Sequence, residues 1–147
     1  MKKIVLFFSF LLLVVSCSNK HGSTASPDET DVDVSVLTKS IVADDIVIDF
    51  AGWKSILENG ISAKTSPEDI AMAKTAVYRF FQHVKLLDGI YVCDITSASE
   101  IDLSPDIFDD LINNLEDINQ VIRYNKEKGL PIEVPDVTEE YLNSLLQ

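Results

Sequence analysis

Apolar and polar positions along this chain follow two regimes. From Ile4 to Val15 the run is apolar apart from Ser9, whereas beyond residue 34 apolar residues recur at three–four spacing between capping signals. Such spacing marks helices buried along one face. It is clearest over 67–88, where Ile70, Ala73, Val77, Phe80, Val84 and Leu87 form a stripe widened by Met72, Ala76 and Phe81. Lys74, Arg79, Gln82 and Lys85 lie off that stripe. Ser66 suits the N-cap and Pro67 the first helical position, while Glu68 and Asp69 complement the positive end of the dipole. Gly89 follows Asp88 as a stop, so the pattern predicts a core helix of about 33 Å.

The same grammar returns over 105–128. Ser104 caps, Pro105 follows, and Asp106, Asp109 and Asp110 crowd the first turns. Phe108, Leu111, Leu115, Ile118 and Ile122 make the stripe, joined by Ile107, Ile112 and Val121, with Arg123, Lys126 and Lys128 at the end where the dipole favours cations. Gly129, Leu130 and Pro131 supply a glycine C-cap with its trailing hydrophobe and breaker. The two Ser-Pro-acid starts share capping chemistry and do not amount to a repeat, because the stripes downstream fail to align.

Between these helices, Ile90 to Thr96 reads as a short extended segment and 97–100 as a polar loop. Upstream, Ile46, Phe50, Trp53 and Leu57 fall on one helical face, which predicts a helix over about 45–58 that stops at Asn59-Gly60, with a shorter one near 35–43. Ile46 to Phe50 is also β-branched enough to be a strand. It is the one good partner for 90–96, and that pairing shortens the helix. Pro131 and Pro135 keep 130–136 extended. Thr138 then caps a last helix through Leu146, with Val137 placed to staple onto Leu142 and with Leu142, Leu145 and Leu146 closing the core. The predicted fold is mainly α: a small bundle of four or five helices around the 67–88 and 105–128 pair, with room for one short β pairing.

The first apolar run has another meaning. Lys2 and Lys3 precede it and Ser16-Cys17 ends it, which is the anatomy of a secretory signal, too short and wrongly flanked for a lasting membrane span. Its end, Val14-Val15-Ser16-Cys17, resembles the lipobox of bacterial lipoproteins; the resemblance covers the first seventeen residues only. It implies cleavage before Cys17, which then carries a diacylglyceryl thioether and an acylated amine, so that membrane lipid is held through Cys17. Several buried chains anchor stably where a single chain does not. Residues 18–34, rich in Gly, Ser, Thr, Pro and acids, read as a flexible tether with a reach of roughly 20–25 Å. In the lipoproteins it resembles, aspartate after the cysteine signals inner-membrane retention in some bacteria and acidic clusters mark surface display in others. Here Ser18 and Ser18-Asn19-Lys20-His21 match neither, which implies the outer membrane, facing the periplasm. The chain thus divides into a signal peptide (1–16), a lipidated cysteine with its tether (17–34) and one α-helical domain (35–147).

Charge narrows the partners. Of the 12 basic and 24 acidic residues, removal of 1–16 takes Lys2 and Lys3 and no acid, leaving 10 against 24 and a formal charge of −14. That balance argues against nucleic acid, because neutralising phosphates requires clustered Lys and Arg. It suits a soluble, self-repelling surface first, and a basic protein partner or divalent cation second. After Cys17 only Cys93 remains, in the apolar run Ile90-Tyr91-Val92-Cys93, where it packs as a small hydrophobe.

No constellation for catalysis emerges. Cys93 and His83 lack clustered cations, an orienting group and an oxyanion turn. Asp102, Ser104 and Asp106 alternate like a calcium loop, yet Ile107 stands where glycine belongs and no glutamate closes it. Asp44, Asp45 and Asp49 read as a solvated face, and Trp53 sits on an apolar stripe rather than in a sugar groove. No catalytic, cofactor or metal residue is therefore assigned. The 67–88 helix carries Lys74, Arg79 and Lys85, while 105–128 carries five acids before any base. Opposed in the fold, the two would attract. Facing outward, Asp106, Asp109, Asp110, Glu116 and Asp117 would dock a basic partner, with charge setting rate and selectivity more than affinity. The expectation is a lipid-anchored, non-enzymatic binding module of the bacterial envelope, an inhibitor or immunity factor being one form. An accessory subunit of an envelope assembly or transport complex is the alternative, and an enzyme the least favoured.

Overall fold

Serine and threonine caps start three of the helices where the sequence places them. Ser66 accepts a hydrogen bond from Asp69 N at 3.1 Å, Ser104 from Ile107 N at 3.4 Å and Thr138 from Tyr141 N at 3.1 Å. The structure, a computed structural model, describes residues 32–147. The leader, Cys17 and the tether to residue 31 lie outside the described residues. In order come α1 (Val34–Ala43), α2 (Trp53–Asn59), α3 (Pro67–Phe81), β1 (Val84–Leu87), β2 (Ile90–Cys93), a 3₁₀ turn (Ala98–Ile101), α4 (Pro105–Glu127) and α5 (Glu139–Ser144). The fold is mainly α with one short antiparallel β pairing. Among the described residues no helix is long and apolar enough to cross a membrane.

Helix α3 is the centre. Ten of its 15 residues are buried, so it is covered on more than the one face its stripe predicted. Phe80 meets Phe81 and Phe108 edge to face, with ring centroids 5.3 and 6.1 Å apart, and these rings join Trp53, Ile107, Leu111 and Leu145 in one core. Burial of Lys74 and Arg79 follows from the same wrapping. Lys74 Nζ donates to Gln147 O at 2.6 Å. The predicted attraction between the basic helix and the acidic one is therefore corrected: these cations sit inside the fold, bonded to backbone oxygens.

Arg79 organises the N-terminal third. Its Nη1 donates to Ile46 O (2.8 Å) and Asp102 O (3.1 Å), and its Nη2 to Ile41 O (3.2 Å) and Asp44 O (2.7 Å). Two of those oxygens belong to the end of α1, where carbonyls lack helical partners and the dipole attracts a cation. α1 has no basic residue of its own in its last turn; α3 supplies one.

The predicted helix over 45–58 is shorter, and its first half is extended. Ile48 N donates to Asp102 O at 2.8 Å and Ser104 N to Ile48 O at 2.9 Å, an isolated parallel bridge centred on Leu103. Fully buried Ile48 thus enters the core as a strand residue. The predicted helix over 67–88 also ends early, at Phe81, and 84–87 pairs with 90–93 instead of 46–50 doing so. Asp88 (φ 53°) and Gly89 (φ 74°) form the turn. Positive φ at both central residues is the two-residue hairpin turn that matches strand twist, for which Asp-Gly is a favoured pair. Helix through residue 88 would leave 90–93 without that ladder.

Among the described residues one buried side-chain polar atom lacks a partner. Tyr141 packs its ring edge to face on Phe81 at 6.1 Å, and burial pushes its hydroxyl pKa up, yet its Oη finds no hydrogen bond among the described residues. Tyr141→Phe removes that desolvated oxygen and keeps the ring. It is expected to raise unfolding stability by about 1 kcal/mol in urea denaturation; a loss of stability instead would mean that the hydroxyl is bonded in solution.

Candidate docking face and groove

Helix α4 buries Ile107, Phe108, Leu111, Leu115, Asn119, Ile122 and Asn125. At about 100° per residue the five predicted docking acids fall within an arc of about 120° on the opposite side. They do not behave alike. Asp106 and Asp109 are exposed and in no ion pair among the described residues. Asp110 is half-buried and works internally, its Oδ2 accepting from Trp53 Nε1 at 2.9 Å and pairing with Lys54, which ties α2 to α4. Glu116 pairs with Arg123 at 2.7 Å along the helix surface. Asp117 is exposed, in no ion pair among the described residues, and lines a groove.

The groove lies between α4 and the extended 132–135 segment, with a cavity volume of about 160 Å³. Ile118, Val121 and Ile122 form one wall; Ile132, Val134 and Pro135 form the other. Asn114, Asp117 and Glu133 supply its polar groups. Tyr91 closes the base and fixes both walls. Its backbone N–H donates to Asn119 Oδ1 at 2.9 Å and its C=O accepts from Asn119 Nδ2 at 2.8 Å. Its hydroxyl donates to Pro135 O.

The register explains the amide clamp. Tyr91 faces Leu86 across the hairpin, in the alternate pairing where both backbone groups of Tyr91 point away from β1. Buried Asn119 takes the place of a third strand. Burial, with Asp136 nearby, pushes the Tyr91 phenol pKa up, so the hydroxyl remains a proton donor.

The hairpin brings His83 and Asp94 together rather than His83 and Cys93. His83 Nδ1 lies 3.0 Å from Asp94 Oδ1 and Lys85 Nζ 3.2 Å from Oδ2. Bonds from Lys85 and His83 hold the Asp94 carboxyl below the usual carboxylate range. Cys93 is half-buried, and burial pushes its thiol pKa up, away from a reactive thiolate. The Asp102–Ser104–Asp106 alternation is built into the fold. Asp102 O receives Ile48 N and Arg79, and Ser104 Oγ caps α4. Among the described residues no group of three or more His, Cys, Asp or Glu is placed to hold a metal ion.

Asn119, Tyr91 and the 132–135 wall were not singled out from the sequence. Asn119 did leave a signal: it falls between Leu115 and Ile122 at four–three spacing, a polar residue on an apolar stripe. No family model, curated protein or solved structure matches the chain. What the chain does is therefore argued from this geometry and from the lipobox-like pattern of its first seventeen residues.

Proposed function

We propose that the chain is a lipid-anchored, non-enzymatic binding module of the bacterial cell envelope, working through protein contacts, with an inhibitor or immunity factor as one form. Cys17 holds it at the outer membrane, facing the periplasm, and the acidic body reaches its partner from the tether. The observation that carries this reading is the outward side of α4. Its buried side closes the core, while Asp106, Asp109 and Asp117 are exposed and in no ion pair among the described residues, and Asp117 lines a formed apolar groove. An acidic helix face that ends on an apolar depression suits recognition, where charge steers the encounter and burial sets the lifetime.

The test uses the native, membrane-extracted product. Mass spectrometry is expected to find the chain beginning at an acylated Cys17, and Cys17→Ala is expected to abolish membrane retention of the processed form. Cross-linking on intact cells should give a discrete adduct with the wild type that the mislocalised variant loses. An unacylated Cys17 overturns the anchor. A wild type that cross-links to nothing overturns the binding module.

A further inference from the structure

We propose that the groove beside α4 receives a basic segment of a protein partner, which seats one large apolar side chain against Val121, Ile132 and Val134 and sets lysine or arginine against Asp117 and Glu133. This rests on the binding-module reading and adds the place and the chemistry of the contact.

Size selects the anchor. A cavity volume of about 160 Å³ is close to the roughly 150 Å³ apolar cavity that accepts a benzene ring. It suits one aromatic or branched aliphatic side chain and is too small for a whole helix face. The site is formed in advance, since Tyr91 joins one wall through Asn119 and the other through Pro135 O. Preformed walls reduce the ordering cost of binding.

Charge selects the partner. Asp117 and Glu133 are exposed and in no ion pair among the described residues. Other occupants carry the wrong sign. A second copy brings its own large negative charge. The chain's 18–33 stretch holds Asp28, Glu29, Asp31 and Asp33 against Lys20 alone, and an anionic bilayer surface is repelled as well. A cationic segment with an apolar anchor satisfies both the walls and the rim.

The experiment uses the full acylated chain in neutral-lipid nanodiscs and short Lys/Arg-rich peptides with one central Phe. Binding is read by fluorescence polarisation and by the methyl NMR signals of Ile132 and Val134. The Phe peptide is expected to bind and to shift those methyls. Replacing Phe by Ser should weaken binding about tenfold or more, the loss of one buried anchor. The double variant Asp117→Asn/Glu133→Gln should weaken it about three- to tenfold and flatten its salt dependence. Asp106→Asn/Asp109→Asn makes the same charge change about 12–16 Å from Asp117 along the helix and should have less effect. If the two double variants exchange roles, the groove assignment falls while the binding module stands. Equal affinity for the Phe and Ser peptides, or for a neutral Phe peptide, overturns the proposed occupant, as does failure of every peptide to bind. Methyl shifts driven by protein concentration alone would identify a second copy as the occupant and overturn it too.

Discussion

Arg79→Met is expected to lower unfolding stability by about 4 kcal/mol, because four carbonyls lose a charged donor at once. Each such bond contributes about 1.5 kcal/mol or more, and water reaching part of the opened site returns some of it. In a domain of this size the melting temperature should fall by about 15 °C. The damage should be uneven. α1 and the 44–48 segment are held by the guanidinium, so their amides should exchange with solvent much faster, while those of α4 change less. Arg79→Lys tests the geometry, since one ammonium cannot reproduce a planar fork spanning four oxygens. It is expected to recover less than half of the loss. A lysine variant as stable as the wild type would show that charge alone holds the junction.

The second large effect belongs to Asn119. Asn119→Ala leaves the N–H and C=O of Tyr91 without their partners in a buried place, and should cost about 2–4 kcal/mol in urea denaturation. Asn119→Asp should be worse than alanine. It keeps the acceptor for Tyr91 N but turns an oxygen toward Tyr91 O and buries a charge. Hydrogen exchange at the Tyr91 amide gives the local readout. Tyr91 also holds Pro135, so both variants should loosen the groove and broaden the methyl signals of Ile132 and Val134. If alanine and aspartate are equally mild, water replaces the clamp and the hairpin does not depend on it.

Elements with strong local signals were legible. Ser66-Pro67, Ser104-Pro105 and Thr138 start helices through hydrogen bonds to residues three positions on, a distance over which a sequence pattern can be read directly. Val84 to Gly89 was not legible in this way. Val84 and Leu87 fit the helical stripe of α3, while Val84 and Leu86 flanking Lys85 fit a strand equally well. Asp88-Gly89 serves both as a helix stop and as a hairpin turn. The choice lay with 90–93, whose backbone needed a ladder partner, and in the fold the residues just before it provide one. Ile46 to Phe50 had the same double character, and the bridge to Leu103 drew it out of the helix.

The candidate site divides along similar lines. Its five acids were visible as a run of charge, but their inequality was not. Asp110 works internally because Trp53 and Lys54 arrive from more than fifty residues away, whereas Asp117 borders a groove whose other wall is brought by Tyr91 and Pro135.

Sequence by itself determined the starts of the helices capped by Ser66, Ser104 and Thr138, the apolar faces, the surplus of acid and the leader-like opening, because each of these is a property of neighbours in the chain. Only the tertiary structure decided which carbonyls Arg79 would gather, which strand would lie beside 90–93 and which acids would remain outside. Every buried backbone group must find a partner, and that requirement is met across the whole fold, by residues that no local pattern links.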